Sequence, residues 1–211
     1  MNADPEWLNW VREIQAIAQT GLAFVRDPYD AERYRMLRNL AARIAAAHTG
    51  DDAQHVENLF AGEQGYATPK VDVRGAVFDA EGRILLVREV VDHGRWTLPG
   101  GWADVNQTPA ECVVREVREE SGYDVEIRKL AAVWDRERQR HQPPTAFSIY
   151  KLFFVCALTG GTADLSLETS EVGWFAENDI PQDLSLGRTL PAQIKRMFIH
   201  WRQPELPTDF E

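Results

Sequence analysis

The sequence predicts a mixed α/β body preceded by a small, separate helical region. Three observations carry that expectation. Helical periodicity fills the chain before Tyr66, stretches rich in β-branched and aromatic residues follow it, and one sharply bounded helix sits among those stretches. The natural division is a helical domain over residues 1–66 and an α/β domain over 67–211.

In the first region Trp7, Trp10, Val11, Ile14, Ile17 and Ala18 recur at the three- and four-residue steps of one helix face. Asp27-Pro28 interrupts the pattern, which resumes with Tyr34, Leu37, Leu40 or Ala41, and Ile44. It stops at Thr49-Gly50, where glycine suits a helix C-cap. Asp51 or Asp52 can cap a short third helix carrying Val56, Leu59 and Phe60. Three such helices bury little by themselves, so their apolar stripes fit a homodimer interface, with packing inside the same chain as the plainer reading.

Beyond Tyr66, "KVDVRGAVFDAEGRILLVREV" reads as two strands around a turn at Asp79 to Gly82. "TLPGGW" is a loop broken by Pro99-Gly100-Gly101. A helix follows, then strands over about 124–136 and 145–158; the second, "FSIYKLFFVCAL", is apolar enough for the middle of a sheet. "EVGWFAE" reads as a further strand and "LPAQIKRMFIHW" as a closing amphipathic helix. "RERQRHQPPTAF", residues 136–147, is a polar, proline-bearing connection of a length that often carries function, so substrate selectivity is expected there.

The formal charge of -10 argues against a nucleic-acid backbone or an anionic membrane as the main partner. A small polyphosphate ligand remains compatible, because bound divalent cations supply positive charge locally. Cys112 and Cys156 make no disulfide framework and no close ligand pair, and read as reduced, packed thiols. The opening "MNADPEWLNWVREIQ" has early acids and no apolar run of signal-peptide length. No segment reaches the roughly 18 consecutive apolar residues of a membrane span, so a cytoplasmic protein is expected.

The marked helix begins at Thr108-Pro109-Ala110-Glu111, a capping box with proline at the first helical position, and should stop at Gly122. Ala110, Val113, Val114 and Val117 form its buried stripe. Glu116 and Glu120 lie one turn apart on a face beside that stripe, with Glu119 on their flank. Like charges four residues apart cost on the order of a few tenths of a kcal/mol even in water, and more beside a core unless paired or holding a metal. Arg115 and Arg118 can pair with some of them, which makes a salt-bridged surface one reading. The Gly-Gly loop leading into the helix supports another: main-chain carbonyls and carboxylates together suit Mg²⁺ or Mn²⁺.

"GGWADVNQTPAECVVREVREESGY" resembles the signature of the Nudix hydrolase family. Gly101, Arg115, Glu116, Val117, Glu119, Glu120 and Gly122 match it at the required spacing, and the approach "RWTLPGG", with Trp96, Leu98 and Pro99, is also typical. Gln107 stands where the signature has its first glutamate, and Tyr123 replaces its final aliphatic residue. The resemblance implies an α/β/α sandwich around a mixed sheet, covering about 67–205. "QTGLAFVRDPYDAERYRMLR" and "GGWADV" further resemble a subgroup with a helical N-terminal domain. Its members hydrolyse nucleoside diphosphates linked to another moiety, such as ADP-ribose or CDP-choline.

The implied reaction is hydrolysis of a pyrophosphate bond to two monophosphates. By resemblance, Glu116 and Glu120 hold Mg²⁺, with Mn²⁺ as a substitute, and Glu119 helps directly or through water. The Gly100 carbonyl is a backbone ligand, and Arg115 orients the carboxylates. The general base is expected on the helix itself or in "SLETSEVGWF", as Glu168 or Glu171. Trp102, Trp134 and Phe147 are possible base-stacking surfaces and Arg74, Arg88 and Arg95 possible phosphate contacts, although packing and solvated strand faces explain them as well. His141 reads as a loop residue rather than a catalyst. Gln107, with Asp104 three residues earlier, implies altered metal affinity more than lost activity; an inactive nucleotide-binding sensor and a triphosphate pyrophosphohydrolase are the other readings.

Overall fold

A computed structural model describes residues 5–211; the first four, with the early acid Asp4, lie outside the described residues. The chain forms two units. One runs through Pro69 and takes in Thr145–Ser148, and the other comprises Lys70–Pro144 and Ile149–Glu211.

The helical unit holds α1 (Glu6–Phe24), α2 (Pro28–Thr49) and α3 (Ala53–Gly62). Asp27 ends the first break by capping α2, accepting from the N–H groups of Tyr29 (2.8 Å) and Asp30 (3.1 Å), with Pro28 opening the first turn. Gly50 closes α2 in the left-handed region at φ 81°. Asp52, rather than Asp51, caps α3 through the His55 N–H at 2.9 Å. The core gathers Val11, Ala41, Ala42, Ala45, Val56 and Phe60.

This packing corrects the predicted stripes. α1 buries Leu8, Val11, Gln15 and Ala18, while Trp10 and Ile17 stand half exposed. α2 presents an alanine face to its neighbours, which lets backbones approach and leaves Leu40 outside. On α3, Val56 and Phe60 are buried and Leu59 is exposed. Phe147 belongs to this core, edge-on to Phe60 at 6.4 Å, so its ring is packing. The sequence-based division placed the whole 136–147 connection with the α/β domain, whereas Thr145–Ser148 goes with the helices.

The second unit carries β1 (Lys70–Phe78), β2 (Ile84–Glu89), β3 (Arg95–Thr97), α4 (Pro109–Ser121), β4 (Tyr123–Asp135), β5 (Ile149–Gly161), β6 (Thr169–Phe175), α5 (Pro191–Arg202) and β7 (Asp209–Phe210). The sheet order is β3-β2-β1-β5-β4-β7, with β6 pairing β2. β1 runs parallel to β5 along Lys70 to Phe78, which makes the sheet mixed and places β5 in the middle, as its apolarity predicts. β5 starts at Ile149 rather than 145, because the preceding residues serve the helical core. β3 and β7 were not anticipated; at three and two residues they are too short to show a period.

α4 covers one face of the sheet through Cys112, Val113 and Val117 against Val73, Val77, Leu85 and Phe154. α5 covers the other through Ile194, Met197 and Phe198 against Phe78, Ile84, Leu86 and Phe153. The result is the α/β/α sandwich that the resemblance implies. Both cysteines are buried and free. Tyr123 accepts a hydrogen bond from Trp174 Nε1 at 3.2 Å and packs against its ring, so it closes the core as an aliphatic residue would. Among the described residues no helix is long and apolar enough to cross a membrane.

One irregularity positions everything that follows. β1 and β2 meet in register at Phe78 and Ile84, and further along β1 the segment Pro99–Ala103 takes the vacated edge. Val73 N–H donates to Gly101 O (2.8 Å), Gly75 N–H to Pro99 O (2.9 Å) and Ala103 N–H to Val71 O (2.9 Å). The loop is a wedge in a split sheet. It demands Gly100, whose φ is 138° and where an added Cβ would land on the Val73 carbonyl oxygen.

Gly100→Ala should therefore destabilise the protein by about 1–3 kcal/mol from backbone strain, read as a lowered urea midpoint. His141 supplies a pH prediction. Its ring is buried, with Nδ1 2.9 Å from Leu186 O and Nε2 3.0 Å from Gln193 Nε2. Burial, reinforced by Lys151 and Arg136, pushes its pKa down to about 3. An unfolded histidine takes its proton near about 6.5, so the folded state binds it less well and stability is lost as pH falls from there toward 3. Urea titrations at pH 7 and 4.5 should show a smaller loss between the two for His141→Asn than for the wild type.

Candidate active site

Helix α4 opens with the predicted capping box: Glu111 N–H donates to Thr108 Oγ1 (3.2 Å) and Thr108 N–H to Glu111 Oε2 (2.7 Å). Gly122 closes it at φ 76°. With both ends fixed and Val113 and Val117 locked in the core, Glu116 and Glu120 stand beside the loop wedge.

Glu120 is 5% exposed, and its Oε2 accepts the Gly100 N–H at 2.8 Å. Burial pushes its carboxyl up to about 8, against the opposing pull of Arg74 and of that hydrogen bond. Glu116 is also mostly buried and shifted upward by burial. A Cβ at Gly101 would come within 3.2 Å of Glu116 Oε2, so the bare glycine leaves that carboxylate room. Glu119 lies on the exposed flank, as expected.

Arg115 gathers this side of the helix. It reaches Glu119 Oε2 at 2.7 Å, Glu116 Oε1 at 2.9 Å, Asp104 Oδ2 at 2.8 Å and, through Nε, the amide oxygen of Gln107 at 3.1 Å. Gln107 thus fills an acceptor position on the guanidinium, a task for which an amide oxygen suffices. Val114 of the predicted stripe is only half buried; Cys112 takes a place in it instead.

The donor set suits a hard divalent cation. Two carboxylates on consecutive turns sit where burial disfavours their charge, and the carbonyls of Pro99 and Gly101 are bound to β1 while that of Gly100 accepts no backbone hydrogen bond among the described residues. As the side chains stand, no three Asp, Glu, His or Cys groups among the described residues converge on one point, and Glu119 is turned to Arg115.

The remaining candidates are spread out. Glu171, on β6, is exposed and paired with Arg88 at 3.1 Å, and Arg88 also reaches Asp183 at 3.3 Å. Glu168 is exposed just before β6, its carbonyl accepting the Val90 N–H. Arg95 is exposed and faces Asp92. Trp134 is buried against Phe153, so it is core, while Trp102 is half exposed. Arg74 is a correction: instead of a solvated face it is 1% exposed.

Arg74 anchors a network that sequence reading missed. It grips Asp72 with two bonds (Nε to Oδ1 3.0 Å, Nη2 to Oδ2 2.7 Å) and donates from Nη1 to Leu98 O at 3.2 Å, just before the wedge. Lys151 on the neighbouring strand reaches Asp72 Oδ1 at 2.5 Å. Burial by itself would raise the Asp72 carboxyl, but Arg74 and Lys151 hold it down to about 2. Glu89 and Arg188 continue the network at 2.5 Å. A signal was available: Asp72 and Arg74, two residues apart in one strand, share one face and can pair.

Comparison with known proteins identifies the family. Residues 68–196 match the profile described as NUDIX domain, and residues 5–60 that described as UDP-X-like, N-terminal oligomerisation domain. Bacillus subtilis YjhB, provisionally named an ADP-ribose pyrophosphatase, is 44% identical over 206 residues, covering 98% of this chain and 97% of its own. A crystal structure of an ADP-ribose pyrophosphatase from Streptococcus suis superposes with a TM-score of 0.61 at 37% identity, over 68% of this chain and all of that one. A crystal structure of UDP-X diphosphatase matches with a TM-score of 0.60 at 30% identity over 100% of both chains. The chain belongs to the Nudix hydrolase family and is a pyrophosphohydrolase of that family.

Proposed function

We propose that the protein hydrolyses the pyrophosphate bond of a nucleoside diphosphate linked to another moiety, with ADP-ribose-like and CDP-choline-like conjugates as the expected substrates. The carrying observation is the pair Glu116 and Glu120 set beside the Gly100 wedge, with Arg115 fixing the outer side. The names of the similar proteins support ADP-ribose and add UDP-linked conjugates as candidates. Glu116, Glu120 and the Gly100 carbonyl would hold Mg²⁺, or Mn²⁺ in its place, with Glu119 joining after leaving Arg115. Bound there, the cation offsets the charge of the diphosphate and lowers the pKa of a coordinated water.

The chain's own groups have separable tasks. Arg115 keeps Glu116 and Glu119 oriented by charge-assisted bonds and does not face the core. The Gly100 N–H fixes Glu120 so that one oxygen is committed and the other left for the cation. Proton acceptance from the attacking water falls to Glu119, or to Glu168 or Glu171 near the start of β6; Glu171 would first have to leave Arg88. Gln107, on which the sensor reading rests, accepts from Arg115 and so has a structural task of its own. A reducing cytoplasm suits the two buried thiols. The exposed Trp10, Ile17, Phe24 and Tyr66 of the helical unit, together with the oligomerisation profile, support a homodimer through the N-terminal helices.

Purified protein given ADP-ribose, CDP-choline, a UDP-sugar, FAD, NADH and nucleoside triphosphates in turn, with Mg²⁺ or Mn²⁺, should release a nucleoside monophosphate from at least one diphosphate conjugate. Turnover of triphosphates alone would defeat the proposal. Glu120→Gln should lower kcat by about a hundredfold or more while the circular dichroism melt stays cooperative; full activity would remove Glu120 from the site. Light scattering of the intact protein should give twice the 24.0 kDa chain mass, and a monomer mass at micromolar concentration would defeat the dimer.

A further inference from the structure

Strand β2 ends on Glu89, a carboxylate that no step above uses. Leu85 of β2 packs against Cys112, Val113 and Val117, and strand alternation puts Val87 and Glu89 on that same α4-facing side. Glu89 is 3% exposed. Its Oε2 lies 2.5 Å from Arg188, while its Oε1 accepts no hydrogen bond among the described residues and has only a long ion pair, at 4.0 Å, to Arg74 Nη1. A buried carboxylate oxygen left unsatisfied is costly, and folded proteins rarely tolerate one without a purpose.

The surroundings say what it faces. Glu89 stands opposite Thr169 in the β2–β6 ladder, and the Thr169 hydroxyl donates to the Glu120 carbonyl at 2.8 Å. One residue therefore ties the end of β2 to the end of α4. Arg74, which reaches toward Glu89, also donates to Leu98 O immediately before Pro99-Gly100. Glu89 and Glu120 thus both flank the Leu98–Gly100 stretch where β1 and β2 part, and sharing a cation would require their side chains to turn inward from where they stand. Glu119, meanwhile, is held outward by Arg115, so the site as built is one carboxylate short.

We propose that Glu89 is a further ligand of the divalent cation that Glu116 and Glu120 would hold, with Oε1, which accepts no hydrogen bond, as its donor atom and Arg188 fixing the other oxygen. Hard divalent cations take such oxygens readily, and a charged anchor on Oε2 keeps the donor in one orientation. The inference rests on the metal site argued under the proposed function, and the test separates the two.

Mn²⁺ binding to the full-length protein, followed by the loss of free-ion EPR signal, gives a dissociation constant without any turnover. Glu89→Gln preserves shape and an acceptor for Arg188, and should raise that constant by about tenfold or more. Glu120→Gln serves as the control. A wild-type constant in Glu89→Gln alongside weakened binding in Glu120→Gln overturns the role of Glu89 and leaves the metal site standing. Unchanged binding in both variants overturns the metal site itself. Should Glu89→Gln fail to fold, Glu89→Asp keeps the charge but withdraws the oxygen by one methylene; weakened Mn²⁺ binding supports the proposal, and a wild-type constant sinks it.

Discussion

The bond from the Gly100 N–H to Glu120 is the constraint on which the second unit turns. It joins the loop wedge to the last turn of α4 where β1 and β2 part. For that bond to form, the loop must lie flat along β1, which requires a residue without a side chain at φ 138°. The helix must end at Ser121, which the left-handed Gly122 enforces. A carboxylate so placed is buried, and burial drives its pKa up. The fold thus holds an acid in a place that favours its neutral form, and either a proton or a nearby positive charge relieves that cost.

On the far side of the wedge the molecule has resolved a similar problem without outside help. Asp72, Arg74 and Lys151 are buried together, and the two cations keep the carboxylate ionised. Buried ion pairs seldom contribute much net stability, because desolvation offsets most of their attraction. Their value is geometric: Arg74 is pinned by two bonds to Asp72 and so presents Nη1 to Leu98 O in one orientation. The contrast is instructive. The charges near Leu98 are matched within the chain and stiffen the loop, whereas the acids on α4 are under-compensated where the ligand is expected.

Much of this was legible in the sequence because it rests on short-range rules. The capping box, the C-terminal glycine and the Val113–Val117 centre of the α4 stripe follow from spacing, and they put Glu116 and Glu120 on the inner border and Glu119 on the flank. The apolarity of β5 marks it as central. What escaped depends on partners far apart in the chain. The burial of Arg74 requires Lys151, 77 positions later by number, to bring its charge beside Asp72. The departure of Thr145–Ser148 from the sheet body requires a helical core that accepts Phe147. Trp10 and Ile17 looked like core because periodicity names a face but not its centre; the alanines of α2 decided that.

Gln107 shows how a departure from a family pattern should be weighed. Read from the signature alone, it implies altered metal affinity more than lost activity. In place, its amide oxygen meets Arg115 Nε, and the guanidinium spreads its remaining donors over Asp104, Glu116 and Glu119. A glutamate there would bring a full negative charge to the same cation and draw it from the other three acids. With an amide, more of the attraction of Arg115 is left for Glu116 and Glu119. The substitution therefore acts on how tightly Arg115 holds the helix acids.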